Sequence, residues 1–451
     1  MNNSSIERIG KYIEELAKRP YNSDNSGGVT RLAFSNEESN TMEWIRKKMT
    51  EEFDYECEYD SFLNLHAYDP RHGEKRILVG THVDSVMGGG KFDGVVGLIV
   101  FVEALYQRGS TDFSVPVDFV VFRAEESTMF KIALLGSKVA TGVFDLEDLQ
   151  QLNFKRRDDL DDALLKYYFG DIDANAKKEV SLLEILSRKT SEFYSDIRKG
   201  CWLFRHPTED YLAYFEVHIE QGRVLYDEGI NLGIVNSIRA PIRNIITLEG
   251  RTDHSGATPM GEQWRRDVLC AASECILCVE DICSEESENG VEIVGTVGEI
   301  HIPNMGINKI PGYCFFTLDL RGNDSQERER IYKKIRKKME EICRERDIHI
   351  TFEETEKTEP VSLVDNGNSS LPINHLKKVM SELGYSYKII PSGAGHDAAS
   401  IAAKGIPVGF LFIPCREGVS HAPDEYAEAE DIHRASRVLL SVLTREWEQG
   451  T

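Results

Sequence analysis

Between Leu78 and Gly97 the chain reads LVGTHVDSVMGGGKFDGVVG, and three of its side chains can bind a metal or move a proton: His82, Asp84 and Asp93. In extended chain, residues two apart face the same way, so His82 and Asp84 share one side. Ile77-Leu78-Val79 reads as a buried strand, Gly88-Gly89-Gly90 as a turn, and Val95 to Leu105 as an apolar helix. A strand's carboxyl end and the next helix's start converge where open α/β sheets hold their ligands. The reading is a metal site with His82 and Asp93 as ligands and Asp84 behind the imidazole, fixing its tautomer. A lone His-x-Asp at a strand end also occurs as a solvated turn, so other stretches must decide.

Three more apolar runs end the same way. Val117 to Phe122 is followed by Glu125-Glu126, Tyr211 to Val217 by His218, and Gly409 to Pro414 by His421. Four strand ends that each deliver His, Asp or Glu are not expected of solvated turns. Two imidazoles with a shared carboxylate suit one divalent ion, and a carboxylate and an imidazole with the same shared carboxylate suit a second. Ions roughly 3.5–4 Å apart would hold a water between them for hydrolysis. Of the adjacent Glu125 and Glu126, one can be a ligand and the other a base. Neighbours in a plain strand point apart, so this division requires a local bend.

The elements that must position these residues follow from the rest of the chain. At 451 residues with 41% hydrophobic content, two cores are expected. Lys and Arg number 53 against 76 Asp and Glu, a net charge of -23, which argues against holding nucleic acid or an anionic membrane. Ile6, Ile9, Ile13 and Leu16 recur at helical spacing, so the first segment reads as an amphipathic helix and not a signal peptide. No apolar run approaches the roughly 20 residues of a membrane span. A cytoplasmic protein with reduced thiols is expected from its nine cysteines; Cys270, Cys275, Cys278 and Cys283 splay around one predicted helix and do not read as a zinc cluster.

Strands and helices alternate from Ile77 to Val143, the pattern of a mostly parallel sheet covered by helices. Leu146 to Pro207 is dense in charge and reads as a helical surface excursion, with Leu160, Leu164, Leu165, Tyr168, Leu182, Leu183, Ile185 and Leu186 as its apolar patches. From about Leu232 to Leu363 the order becomes β-α-β-β-α-β, the split ferredoxin-like unit, after which the α/β pattern resumes. The expected organisation is a catalytic domain over residues 1–231 and 364–451, interrupted by an α+β domain over 232–363. An insert of this kind can serve as a lid.

Motifs nearly from end to end carry a resemblance. They are GGVTRLAFS (Gly27 to Ser35), GTHVDSV with GGKFDG (Gly80 to Gly94), EE followed by LLGS (Glu125 to Ser137), EVHIEQG (Glu216 to Gly222), DHSGATPM with RRD (Asp253 to Asp267), NKIPG (Asn308 to Gly312), LDLR (Leu318 to Arg321), SGAGHDA (Ser392 to Ala398) and SHAPDEY (Ser420 to Tyr426). The chain resembles the hydantoinase/carbamoylase amidases of the dinuclear metallo-aminoacylase and carboxypeptidase superfamily, which includes N-carbamoyl-L-amino acid hydrolases and allantoate amidohydrolases. The resemblance implies two divalent ions per subunit, Zn, Mn, Co or Ni. Asp93 would bridge them, with His82 and His218 at one and Glu126 and His421 at the other, and Glu125 would be the general base.

The resemblance further implies that His254 supports the oxyanion, from a lid that also joins a homodimer. Asn308 and Arg321 would grip the substrate carboxylate, Gln221 would read the ureido group, and Gly395-His396 would offer donors to the substrate anion. The alternative readings are an Arg321 that pairs with an acid in the lid and a His396 that caps its helix. The implied function is hydrolysis of the C–N bond of a ureido or carbamoyl group on a small carboxylate, with an N-carbamoyl-L-amino acid first among substrates. The alternatives are an allantoate amidohydrolase, an aminoacylase or dipeptidase, and a binding protein that has lost the chemistry. Two departures stand out: Ser127-Thr128-Met129-Phe130 replaces the Gly-Ser-Arg-Phe common after the Glu pair, and the segment from Lys155 to Pro207 is long.

Overall fold

The computed structural model describes residues 3–109, 111–127, 132–151, 153–155, 179–181, 202–261, 263–303, 306–365 and 368–447. They fall into two units, residues 1–236 with 362–451 and residues 237–361.

The first unit is built on a nine-stranded sheet. Its four central strands are Val117–Phe122, Arg76–His82, Tyr211–Ile219 and Val408–Ile413, side by side in that order and all parallel. Covering on both faces explains why these runs are continuously apolar and not alternating. Leu65–Tyr68 and then Glu56–Tyr59 extend one edge antiparallel, and Leu232–Ile238 extends the other. Leu232–Ile238 was expected to open the inserted domain; its pairing with Val408–Ile413 ties it into the larger sheet, and the second unit begins at Ser237.

The helices Asn3–Leu16, Val95–Arg108, Leu371–Leu383 and Ala429–Leu443 pack among themselves and on the central strands, which also meet Asp397–Ala402. Val95–Arg108 is buried from Val95 to Leu105, and its Phe101 stacks on Phe119 of the sheet at 4.5 Å. Each fully buried Val, Leu, Ile or Phe of this kind contributes about 1.5–3 kcal/mol. The helix Asn36–Phe53 starts on half of the expected capping box: the Glu38 N–H donates to Ser35 Oγ at 3.0 Å, but Glu38 Oε2 takes the Phe34 N–H at 2.5 Å, one residue before the cap, and the Ser35 N–H goes to the Leu32 carbonyl. At the amino-terminal end of the parallel strands, Asp118 accepts from Arg76 Nε (2.7 Å) and Nη2 (2.6 Å), the Asp69 N–H (3.0 Å) and the Tyr211 hydroxyl (3.1 Å). That one buried carboxylate links four strands or their ends.

In the second unit the strands Ala240–Glu249, Tyr313–Gly322 and His349–Lys357 form one antiparallel sheet with Ile293–Thr296 at its edge. Alternate residues of the first two strands are buried, and the helices Val268–Glu288 and Ser325–Glu345 supply the rest of that core. Cys275, Cys278 and Cys283 lie in this core, and Cys270 is exposed. The strand expected over Val291 to Ile302 is split into Ile293–Thr296 and Ile300–His301. Four steps from Thr296 to Ile300 face three from Asp319 to Phe316, so one extra residue forces a bulge.

Of the charged excursion, the helix Leu146–Gln151 and the paired strands Asn153–Lys155 and Glu179–Ser181 are described. Its apolar patches from Leu160 to Leu186 lie outside the described residues, as do Thr128, Met129 and Phe130. No helix among the described residues is long and apolar enough to cross a membrane.

Removing Asp118 leaves the buried Arg76 guanidinium without its partner. Asp118→Ala is therefore expected to lose about 3–5 kcal/mol in urea unfolding; a loss below 1 kcal/mol would show that the cluster does not hold the strands together.

Candidate metal centre

His82, Asp84, Glu125, Glu126, His218, Gln221 and His421 stand at or just beyond the carboxyl ends of the four parallel strands. His82 ends its strand beside Phe122, and His218 sits level with Phe412. Asp93 lies just ahead of the helix Val95–Arg108. Between them, Gly94 has φ 65°, and a Cβ there would come within 2.6 Å of the His82 ring, so the close approach requires glycine. Beyond Phe122, Ala124 takes a left-handed φ of 55°, which is the bend that the Glu125-Glu126 pair demands.

Two groups of donor atoms converge. In the first, His82, Asp93 and His218 are all buried. Asp93 Oδ1 lies 2.8 Å from His218 Nε2 and 3.5 Å from His82 Nε2, and the two Nε2 atoms are 3.3 Å apart. The far nitrogens face main-chain oxygens: His82 Nδ1 that of Asp84 at 3.2 Å, His218 Nδ1 that of Ile219 at 2.8 Å. A carbonyl oxygen only accepts, so each Nδ1 carries a proton, and each Nε2, a lone pair whenever the ring is neutral, faces the other and Asp93. Three lone-pair donors facing one another repel unless a positive charge lies among them. This donor set fits a divalent ion.

In the second group Asp93 Oδ2 is 3.1 Å from His421 Nε2, which is 3.3 Å from Glu126 Oε1. The Gln221 amide donates to Asp93 Oδ2 at 2.8 Å and reaches His421 Nε2 at 3.3 Å. Asp93 thus belongs to both groups, one oxygen to each. Burial opposes its ionisation, but the facing imidazoles, His218 foremost, outweigh burial and hold its carboxyl well below the usual range. The Asp93 and Glu126 carboxylates push His421 up to about 11. Burial alone would lower His82 and His218, yet the negative charges around them, Glu125 first for His82 and Asp93 for His218, raise both. The cluster draws positive charge, as a cation site must.

Glu125 is buried and belongs to neither group. Burial, reinforced by the charges of Glu126, Asp397 and Asp84, pushes its carboxyl well above the ordinary range, with His82 opposing. Asp84 is also buried, beside His82 as expected from its spacing, and it has further partners. Its main-chain oxygen is nearest His82 Nδ1, with the carboxylate at 3.5 Å, and that carboxylate accepts the N–H groups of Glu125 (3.2 Å) and Glu126 (3.1 Å). Asp84 therefore orients the Glu pair as well as the imidazole.

His396 is buried against His218, ring centroids 4.6 Å apart, and its Nε2 lies 2.9 Å from Ser392 Oγ. It occupies the N-cap position of Asp397–Ala402 without a side-chain capping bond, and the half-buried Gly395 precedes it. The sequence reading missed Glu216, Asp397 and Glu425, three buried carboxyls behind or beside the ligand groups. Glu216 accepts from the Tyr214 hydroxyl (2.7 Å) and the Ala398 N–H (2.9 Å); being every second residue before His218, it could have been read from strand periodicity.

His254, Asn308 and Arg321 belong to the second unit. The Gly256 and Ala257 N–H groups donate to His254 Nδ1 at 3.2 and 3.1 Å, so the neutral ring carries its proton on Nε2, on an exposed side chain. The Ser255 N–H donates to the Asn308 main-chain oxygen at 3.0 Å, which brings Asn308 close to His254. Arg321 is paired within its own strand: its Nε and Nη2 hold the Asp319 carboxylate at 3.0 and 2.9 Å, and Asp319 also takes Arg243.

A family model described as Peptidase family M20/M25/M40 matches residues 78–445. An N-carbamoyl-L-amino acid amidohydrolase of Geobacillus stearothermophilus is 32% identical over 96% of this chain and 95% of its own length. An allantoate amidohydrolase of Bacillus subtilis is 30% identical over 96% of each. A crystal structure of an amidase of the hydantoinase/carbamoylase family from Burkholderia multivorans superposes with a TM-score of 0.77 at 27% identity, covering 97% of both chains.

A divalent ion at a hundred times its dissociation constant is expected to stabilise the folded chain by about 2.7 kcal/mol, seen as a rise in thermal unfolding that a chelator reverses. His218→Ala should blunt the response. A wild-type chain indifferent to zinc, manganese, cobalt and nickel would refute the centre.

Proposed function

The chain belongs to peptidase family M20/M25/M40, in its branch of hydantoinase/carbamoylase amidases, and is a hydrolase acting on carbon–nitrogen bonds; from that premise we propose that it hydrolyses a ureido or carbamoyl group on a small carboxylate, with an N-carbamoyl-L-amino acid as substrate. The observation that carries this reading is the pair of donor groups joined through Asp93. His82, Asp93 and His218 would hold one divalent ion and Asp93, Glu126 and His421 a second; zinc, manganese, cobalt and nickel all suit such donors. Ions so held acidify water and polarise a carbonyl oxygen.

The side chains supply the rest. Glu125, left out of both ligand sets, takes a proton from the attacking water and passes it to the leaving nitrogen. The carbamoyl compound and one water become the free amine, carbon dioxide and ammonia. His254 suits a donor to the oxygen on which charge develops, since the amides on its Nδ1 leave an Nε2–H facing outward. Arg321, exchanging Asp319 for the substrate, would grip its carboxylate together with Asn308, a task for which a planar guanidinium fork is shaped. Gln221, beside Asp93 and His421, would read the ureido group, and the backbone at Gly395-His396 would add donors to the substrate anion. The second unit, with its β-α-β-β-α-β order, is assigned the roles of lid and contact surface of a homodimer. Hydrolysis of allantoate is the second reading, favoured by the similar Bacillus subtilis protein.

Ammonia release from a panel of N-carbamoyl amino acids, allantoate and N-acetyl amino acids, with each metal added back, separates these readings. Activity on N-acetyl compounds alone would overturn the ureido assignment. Glu125→Gln is expected to lower turnover by about 10²–10⁴-fold with metal content unchanged; a variant with near-normal turnover would remove Glu125 from the proton transfer.

A further inference from the structure

Glu425 lies four residues beyond His421 and is buried to 2% exposure, yet it belongs to neither ligand group. Its two oxygens hold different parts of the centre. Oε1 accepts the N–H groups of Phe92 and Asp93, each at 3.0 Å. Oε2 accepts the Ser420 hydroxyl at 2.9 Å and the His421 N–H at 3.3 Å. One carboxylate therefore bonds the main chain at the shared ligand and at the exposed one, although the first arrives ahead of a helix and the second on a loop after the last strand.

The neighbourhood is built around this carboxyl. A Cβ on Gly90 would lie 2.0 Å from Glu425 Oε1 and 2.4 Å from its Cβ, so only glycine leaves the side chain its place. A carboxylate is also the group the geometry needs: it has about four acceptor positions and no donor, and four donors are aimed at it. A glutamine would keep one accepting oxygen and turn an NH₂ toward the N–H on its other side.

We propose that Glu425 is a positioning residue that sets Asp93 and His421 at the separation required by the ion held with Glu126, with Gly90 reserving its space. The proposal rests on the two-ion reading of the centre. His421 has a left-handed φ of 56° and an exposed ring whose described contacts, with Gln221, Asp93 and Glu126, are all through Nε2; His82 and His218 are buried and held through their own Nδ1 atoms as well. Losing the strap should therefore weaken one ion far more than the other.

The test is cobalt(II) titration of the metal-free full-length chain, followed by calorimetry and visible absorption, on the wild type, Glu425→Gln and Gly90→Ala. The wild type is expected to take up two ions. Glu425→Gln should bind one of them about 10–100-fold more weakly, hold the other within about threefold, and show an altered cobalt band. Gly90→Ala should repeat that selectivity by displacing the carboxyl without changing its chemistry, and it carries the test if the glutamine variant does not fold. Folded variants that bind both ions as the wild type does, with the same spectrum, overturn the strap alone. Equal weakening at both steps would make Glu425 a general structural prop and also overturn it. A wild type that takes up fewer than two ions overturns the two-ion reading and the strap with it.

Discussion

Two imidazole lone pairs and a carboxylate oxygen, aimed at one point and closed off from water, form the constraint on which the rest of the structure depends. With both rings neutral, like partial charges within 3.5 Å repel, and burial removes the solvent that would screen them. Each ring is prevented from turning away by a carbonyl oxygen on its Nδ1, and Asp93 by the main-chain bonds around it. The fold maintains an arrangement that is unfavourable without positive charge and favourable with it. Such pre-organisation lets binding energy go into holding an ion, because little remains to be spent on ordering the ligands.

A parallel sheet is well suited to this. Its strands finish together at one edge, so ligand residues far apart in sequence arrive side by side, and their carboxyl ends need no ladder partners there. At the other end Asp118 and Arg76 tie strands together through a buried, hydrogen-bonded pair. The two ends divide the work: one accumulates charge that must be neutralised from outside, the other carries charge already neutralised within the chain. The excess of carboxylates in the site, where Asp84, Asp93, Glu125 and Glu126 gather around three imidazoles, makes sense only on that division.

The sequence made the candidate ligands legible because four of them follow apolar runs and the fifth, Asp93, opens an apolar helix, so position and chemistry were written in the same stretch. His82, His218, Glu126 and His421 could be read that way, and the bend needed at Glu125-Glu126 could be deduced from strand geometry, although the residue that makes it, Ala124, could not. Glu425 stayed hidden for a different reason. Its partners are mainly N–H groups, which every residue but proline possesses, so no side-chain pattern points to them. Asp84 was half read: its closeness to His82 follows from spacing of two, but its bonds to the Glu125 and Glu126 amides join neighbouring strands. The bulge between Thr296 and Ile300 depends on the register against Tyr313–Gly322, which the sequence of one strand does not contain.

The backbone at the site bears the same mark as its electrostatics. Ala124, Gln221 and His421, none of them glycine, have φ of 55°, 56° and 56°. Left-handed conformations of this kind cost roughly 1–3 kcal/mol each and persist only where surrounding bonds over-determine them. Those bonds can be named. After Ala124 the Glu125 and Glu126 amides are held by Asp84, the Gln221 side chain is held by Asp93, and the His421 amide is held by Glu425. In each case a buried carboxylate restrains a turn that would otherwise relax, and in each case the turn aims a polar side chain at the ligand groups. Strain and charge are thus balanced by the same acids.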